Sequence, residues 1–250
     1  MTVYGRNRNT GKIDSLARSS SLTAVMLADS PLMLWEGYAS GATDLTGNGR
    51  HATIGANIIS GLSLGTTGVA SYQFPGAQTS ANSISIADAN WQSPHAGMSG
   101  AMTWECMFRV TNLSAARKLW TKGTDASSYE FQSSVSTAGA INAGVWQTSG
   151  SDVVGATSSS GAVLVNTDYH FVATFDRAAQ QMKVFLNGVQ VAISTTFSGS
   201  SSNASASLQF GLRSDSYGPG YLAGFASHIA VYSNVLNAGQ ISAHALQALA

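Results

Sequence analysis

Apolar and polar residues alternate with a period of two along much of the chain, and the alternation is clearest over residues 169–187. Tyr169, Phe171 and Phe175 fall on one face of a predicted strand, because successive side chains of a strand point to opposite faces. A second alternating run follows after a polar turn and ends at Asn187-Gly188. Asn-Gly favours a tight hairpin because both residues tolerate positive φ. The segment therefore predicts two strands joined by a polar turn and followed by a hairpin tip.

Further short runs of this kind recur along the chain, with turn residues rather than helical patterns between them. They predict strands at residues 71–74, 83–86, 102–110, 118–121, 129–132, 141–147, 162–165, 208–212 and 226–232. The Ser/Gly-rich stretch at residues 149–161 is predicted to be a rim loop. Many short strands without alternating helices indicate an all-β, antiparallel two-sheet sandwich or jelly roll.

A helix is predicted only near the C-terminus. Asn237 can cap it, and Gln240 stands three residues later, as in a capping box. Ile241, Ala245 and Leu246 form its predicted apolar stripe. We expect this short helix to lie against the sandwich.

The N-terminal part of the chain divides into an arm and a segment that leads to the first strand. Residues 1–22 are polar and non-periodic, and we interpret them as an extended arm that precedes one domain over residues 23–250. The arm is basic through Arg6, Arg8, Lys12 and Arg18. The apolar residues 22–34 predict a short helical turn, which Asp29-Ser30-Pro31 ends before the first strand.

Composition narrows the range of partners. Charged residues make up 10% of the chain, against about 25% in ordinary soluble domains, and the formal net charge is zero. A chain without excess charge has no global field to attract nucleic acid, so a nucleic-acid partner is not expected. The weakly charged, Ser/Thr-rich surface suits contact with neighbouring subunits, and we expect a homo-oligomer within an assembly. No apolar run long enough for a membrane span and no signal-like segment after Met1 is found, so membrane insertion is not expected.

Catalytic chemistry is poorly represented. The single cysteine, Cys106, shares a predicted strand face with Trp104 and Phe108 and is interpreted as a buried apolar residue. The chain has three glutamates, which are far apart in sequence, and its five histidines show no paired metal spacing. We therefore predict no enzymatic activity, no metal site and no cofactor. The alternative, a glycoside hydrolase, would depend on Glu105 as acid/base.

A binding surface is predicted instead on a loop that contains Gly-Pro-Gly. This loop presents Tyr217 and Tyr221, with Arg213 and Asp215 beside them, and Trp146 could extend the surface. Aromatic rings stack on the apolar faces of sugars, whereas the hydroxyl groups of sugars require polar and charged side chains. The set favours a carbohydrate ligand, and Trp91 is a further candidate.

Several motifs resemble the laminin-G-like, concanavalin-A-like domains. Residues 28–36 resemble the opening "D-x-P-x-x-Y-W-R-L" element, and residues 44–52 resemble "D-x-S-G-N-G-x-x-G". The segment 166–192 resembles "W-H-H-V-A…Y-D…Y-V-N-G", and residues 103–108 are similar to "T-x-E-x-W-x". The resemblance implies a concanavalin-A-like jelly roll. Lectins of this architecture often bind Ca²⁺, but Ala226-Ser-His-Ile229 replaces the "I-D-E-V" of the family, so carboxylate ligands for an inherited calcium ion are missing there.

The opening element also resembles that of laminin-G-like proteins of bacteriophage tails and virions. That resemblance implies a non-enzymatic virion protein, either a minor tail or a capsid-decoration protein. Its partners would be other virion proteins, reached through the arm, and host-surface glycans. The alternative is a bacterial carbohydrate-binding or adhesin domain without a virion role.

Overall fold

The computed structural model describes nine stretches of the chain, and all statements below concern them. They are residues 22–38, 41–64, 69–77, 79–91, 100–123, 130–146, 152–197, 205–212 and 220–250. The basic residues assigned to the arm lie outside these stretches. Leu22, placed at the end of the arm by the sequence analysis, is fully buried in a short helix.

The described residues form fifteen strands and three α-helices. The strands are β1 (Met33–Trp35), β2 (Thr53–Ile54), β3 (Ile59–Leu64), β4 (Val69–Pro75), β5 (Ile84–Ile86), β6 (Ala101–Val110), β7 (Arg117–Lys122), β8 (Phe131–Val135), β9 (Ile141–Trp146), β10 (Asp152–Thr157), β11 (Tyr169–Asp176), β12 (Gln181–Leu186), β13 (Val189–Ser194), β14 (Leu208–Phe210) and β15 (Ala223–Tyr232). The helices are α1 (residues 22–28), α2 (Asp88–Trp91) and α3 (Ala238–Leu249).

The strands pair into two antiparallel sheets, which confirms the all-β jelly-roll sandwich. The eight-stranded sheet has the order β13-β12-β11-β6-β15-β4-β3, and β1 also pairs with β15. The seven-stranded sheet has the order β10-β9-β8-β7-β14-β5-β2. The edge strands β10 and β13, one from each sheet, lie next to each other.

Two apolar clusters give the molecule three layers. The larger cluster fills the space between the sheets and includes Trp104, Cys106 and Phe108, so the predicted face of β6 is confirmed. The smaller cluster lies on the outer side of the eight-stranded sheet and includes Met26 and Ile241. Helices α1 and α3 therefore cover this sheet, while the outer side of the seven-stranded sheet carries no described helix.

Strand β15 changes partner at a bulge. Its first part pairs with β4 and its second part pairs with β1, with a register shift between Ser227 and Ala230. His228 lies in the shift with φ +47°. Its ring is buried and contacts Thr23 of α1 and Glu36, so the histidine that departs from the family pattern is part of the structure that holds α1.

The hairpin predicted at Asn187-Gly188 is confirmed, since both residues have positive φ (53° and 79°). The predicted strand at residues 162–165 is wrong, however, because these residues form a turn and leave Leu164 and Val165 exposed. The predicted rim loop at 149–161 contains β10 instead. Its small residues carry little pattern, and pairing with β9 stabilises the strand.

The C-terminal helix is confirmed, but its buried face differs from the predicted one. Ile241 and Ala245 are buried as expected, whereas Leu246 is 70% exposed. His244 and Ala248 complete the buried face, in keeping with the spacing of three and four residues on one side of a helix. The predicted stripe was built from apolar residues only, so it could not place the polar His244 on the buried face.

The cap of α3 provides a test of this helix. The Asn237 side chain accepts a hydrogen bond from the Gln240 backbone, and the Gln240 side chain accepts one from the Asn237 backbone. Replacing Asn237 with Ala removes the first bond, and we expect the free energy of unfolding to fall by about 1 kcal/mol in urea denaturation. Asn237→Ser keeps a capping oxygen and should stay close to the wild type. Equal losses in the two variants would contradict the capping role.

Candidate functional site

The outer side of the seven-stranded sheet is polar and forms a shallow trough over β8, β9 and β10. Strand alternation places Phe131, Ser133 and Val135 of β8 against the core, and Gln132 outward. The trough has a volume of about 230 Å³. We call it the Trp146 trough, and it is lined by Gln132, Asn142, Trp146, Gly155 and Thr157.

Two glycines give the trough its shape. Gly144 faces outward from β9 two residues before Trp146, and a Cβ at residue 144 would lie 2.7 Å from two atoms of the six-membered indole ring. The indole can therefore lie over residue 144 only because this residue has no side chain. On the neighbouring strand, Gly155 is exposed and leaves the floor open. The result is a half-buried aromatic ring beside accessible backbone.

Two side-chain amides border the ring, and each is oriented by a neighbour. The Oδ1 of Asn142 accepts a hydrogen bond of 3.0 Å from the Ser134 hydroxyl. The Oε1 of Gln132 accepts one of 2.8 Å from the Lys118 ammonium. With both oxygens engaged, the amide nitrogens have no partner among the described residues and are available as donors. None of the residues described as lining the trough carries a charge. The nearby Lys118, which donates to Gln132, is itself only 6% exposed.

The loop predicted from sequence to bind ligand lies mostly outside the described residues. Arg213, Asp215 and Tyr217 fall in the stretch 213–219 that the structure does not describe. Tyr221 is described, and its ring stacks against the guanidinium of Arg117 with 5.2 Å between them. The ligand role of this loop stays a prediction.

The structure does not bring Tyr221 and Trp146 together. Tyr221 contacts the first residue of β7. Trp146 lies at the opposite end of the strands, since Lys122 at the end of β7 pairs with Phe131, and Phe131 pairs with Val145. Five residues along a strand separate the two levels by about 17 Å. Trp91, the further aromatic candidate, is fully buried in the core and cannot join a ligand surface.

The opposite side of the molecule contains a buried polar cluster under α1 and α3. The carboxylate of fully buried Glu105 contacts the Nε2 of His170 at 2.9 Å and the Nδ1 of His244 at 3.1 Å. It also accepts a hydrogen bond from the Tyr232 hydroxyl. The other ring nitrogen of His244, Nε2, lies 2.9 Å from the carboxylate of Asp29. We call Glu105, His170 and His244 the buried triad.

The electrostatics of the triad favour an ionised carboxylate. Burial by itself would raise the pKa of Glu105, but the hydrogen bonds and charges of His170 and His244 outweigh it and lower this pKa to about 2. Burial likewise opposes protonation of His244, yet Glu105 and Asp29 raise the pKa of His244 above its usual value. An ion pair therefore connects β6 to α3.

This placement removes the residue on which a hydrolase would depend. Glu105 is fully buried on the far side of the eight-stranded sheet, so it cannot reach a sugar in the trough. Glu130 is also fully buried, 3.8 Å from the Lys122 ammonium. A glycosidase needs two carboxyl groups on either side of the scissile bond. None lines the trough among the residues described.

Sequence reasoning missed both arrangements for identifiable reasons. The trough residues Gln132 and Asn142 are ordinary amides, and only the outward face of two adjacent alternating strands marks them. The buried triad comes from β6, β11 and α3, which are 65 or more residues apart in sequence. A search for short metal-binding spacings finds no such set, although the ligand atoms of these three side chains lie within 4.8 Å of one another.

The chain belongs to the concanavalin A-like lectin/glucanases superfamily. The family model for this superfamily, of the laminin G type, matches residues 78–242, which is more than half of the chain. This match confirms the family that the sequence motifs indicated. No curated protein sequence matches the chain.

Solved structures with the same fold include the binding domains of clostridial toxins. The structure of botulinum neurotoxin type C has a TM-score of 0.70 at 10% identity, and the match covers 91% of this chain and 53% of that one. The binding domain of Paraclostridial mosquitocidal protein 1 has a TM-score of 0.66 at 13% identity, covering 86% and 52%. The botulinum serotype D domain with N-acetylneuraminic acid has a TM-score of 0.63 at 11% identity, covering 87% and 51%. The chain thus spans about half the length of these structures, and the similarity establishes the fold.

Within the described residues, no helix has the length and apolar character that a membrane crossing requires.

The triad makes a prediction about stability. Glu105→Gln keeps the size of the side chain but removes its charge, which leaves His170 Nε2 and His244 Nδ1 without a carboxylate partner. We expect the free energy of unfolding to fall by about 3 kcal/mol in urea denaturation, as is typical when one partner of a buried ion pair is lost. Asp176→Asn, a change at a partly exposed carboxylate that keeps the acceptor oxygen, should cost less than about 0.5 kcal/mol. Equal stabilities for the two variants would refute the role assigned to Glu105.

Proposed function

We propose that this chain is a non-enzymatic carbohydrate-binding domain that holds a sugar ring of a glycan in the Trp146 trough. The observation that carries the proposal is the position of the Trp146 indole over Gly144, between two amides whose oxygens are already engaged. An aromatic ring beside oriented amide donors matches a sugar ring, which has one apolar face and a border of hydroxyl groups.

The comparisons support this proposal at the level of the family. The superfamily contains lectins and glucanases, as its name states. Among the similar structures, the botulinum serotype D domain is in complex with N-acetylneuraminic acid, and botulinum neurotoxin type C depends on two ganglioside molecules to enter cells. These ligands belong to those proteins. For this chain we infer a sugar ring that stacks on the Trp146 indole and accepts hydrogen bonds from the two amides.

Trp146→Ala tests the site directly. Loss of the stacking surface should weaken binding to glycans selected on an array by about tenfold or more, which corresponds to about 1.4 kcal/mol. Asn142→Ala should weaken the same interaction through loss of an amide donor. Thr53→Ala, on β2 at the far edge of the same sheet, is the matched control and should bind as the wild type does. Affinities are measured by calorimetry with the full chain.

Two results would contradict the trough as the site. Wild-type affinity in Trp146→Ala is one. Loss of binding in Tyr217→Ala alone is the other, and it would assign the ligand to the loop at 213–221. Tyr217 is preferred to Tyr221 for this comparison because Tyr221 also stacks against Arg117, so its removal would disturb the fold.

We further propose that the domain works on the surface of a virion, as a minor tail or capsid-decoration protein, repeated as a homo-oligomer and attached to other virion proteins by its arm. The support comes from the resemblance of residues 28–36 to phage virion proteins and from the basic character of Arg6, Arg8, Lys12 and Arg18. The toxin domains named above do not support this role. The alternative is a bacterial adhesin domain with the same trough.

Deletion of residues 1–21 distinguishes these two roles. The cut ends before Leu22 because Leu22 is buried in α1. In the virion role, the shortened chain should keep its thermal stability and glycan binding but fail to enter particles, as measured by immunoblotting of purified virions. Normal incorporation would refute attachment through the arm.

A further inference from the structure

We propose that the buried triad is a zinc site that fastens α3 to the eight-stranded sheet. The proposal is independent of the trough, which lies on the other side of the molecule. Its basis is the position of the three ligand atoms, the groups around them and the charge that they enclose.

The fold brings the three side chains to one point above the middle of the sheet. Glu105 lies on β6 and pairs with Val172 of β11, so His170 is its diagonal neighbour on the same face. Helix α3 crosses above and supplies His244 from its buried side. Two strands and one helix thus each contribute one ligand, and a water would fill the fourth position of a tetrahedral ion.

The distances suit a small divalent cation. A tetrahedral zinc ion with bonds of about 2.0–2.1 Å holds its ligand atoms about 3.3 Å apart. In the structure, Glu105 Oε2 lies 2.9 Å from His170 Nε2, and Glu105 Oε1 lies 3.1 Å from His244 Nδ1. All ligand atoms of the triad lie within 4.8 Å of one another. Small movements of the side chains are therefore enough to admit the ion.

The surroundings of His244 and Glu105 have the form of a second coordination shell, whereas the Nδ1 of His170 is buried without a partner among the described residues. Metal-bound histidines usually donate their other N–H to a carboxylate. His244 has this arrangement, with Nε2 at 2.9 Å from Asp29 Oδ2, and Gln240 Nε2 in turn donates to Asp29 Oδ1 at 2.8 Å. The Tyr232 hydroxyl orients the Glu105 carboxylate. Each of these contacts fixes a ligand in the direction of the site.

Charge and donor type select the ion. Glu105 and Asp29 bring two carboxylates to a buried place, and one divalent cation would balance both. Two imidazole nitrogens with one carboxylate oxygen suit zinc and other divalent transition metals, whereas calcium and magnesium prefer sites made of oxygen alone. Asp29, whose side chain is 20% exposed, brings the outer end of the cluster to solvent.

The experiment uses the full chain, stripped with a chelator and then titrated with Zn²⁺ or Co²⁺. We expect one ion per chain, a visible Co²⁺ spectrum of the tetrahedral type, and a rise in the melting temperature with Zn²⁺ but not with Ca²⁺. His170→Gln and His244→Asn each place an amide where the ligand nitrogen was and should abolish the Co²⁺ spectrum. Asp29→Asn should lower zinc affinity about 10- to 100-fold, as expected for a second-shell change.

His51→Asn is the matched control, because His51 is exposed, and Asn can still accept the hydrogen bond from the Asp44 backbone. It should bind one ion as the wild type does. Absence of stoichiometric Co²⁺ or Zn²⁺ binding by the wild-type chain would overturn the proposal, and this result does not depend on whether the variants fold. Retention of the ion by His244→Asn, or its loss in His51→Asn alone, would overturn it equally.

Discussion

Burial of the Glu105 carboxylate is the constraint on which the arrangement of the layers depends. A charge without solvent costs several kcal/mol unless partners surround it. The partners here come from every adjacent element, with His170 on β11, Tyr232 on β15 and His244 on α3. His244 in turn requires Asp29, at the end of α1. Glu105 thus connects β6 to α3 directly and to the end of α1 through His244 and Asp29.

The two outer sides of the sandwich consequently have different properties. The eight-stranded sheet is covered by helices, and the carboxylate of Glu105 is engaged with His170, Tyr232 and His244. The seven-stranded sheet carries amides, hydroxyl-bearing side chains and glycines that remain accessible over β8, β9 and β10. In the proposed carbohydrate-binding role, a surface made from strands rather than loops has little freedom, so Trp146 would already be in place when a ligand arrives. Such preorganisation lowers the entropic cost of binding.

The sequence predicts features that depend on neighbours along the chain. The hairpin at Asn187-Gly188, the capping box at Asn237 and the core face of β6 are all local patterns, and the structure confirms them. Strand β10 escapes prediction because its stability comes from pairing with β9 rather than from its own residues. The buried triad cannot be predicted either, because its members are far apart in sequence. They meet only through the order of the strands and the packing of α3 on the sheet.

The candidate trough is only partly predictable. Trp146 stands out in the sequence because an aromatic residue near a strand end is a common ligand contact, but the sequence groups it with Tyr221, which lies about 17 Å away along the strands. The distance between these two aromatic residues follows from the pairing of β7 with β8 and of β8 with β9, which the sequence does not reveal. Gly144 gives no signal at all, although the position of the indole depends on it.

The meeting of β10 and β13 has a consequence for how copies of this protein behave at high concentration. An open edge strand displays unpaired backbone groups on which another chain can add a strand, and this is a common start of aggregation. Here the edges of the two sheets lie next to each other, which leaves little room beside either edge for a further strand. Without β10 beside it, β13 would offer an open edge with two exposed apolar side chains, Val189 and Ile193. Crowded copies can therefore stand side by side without fusing their sheets along this border.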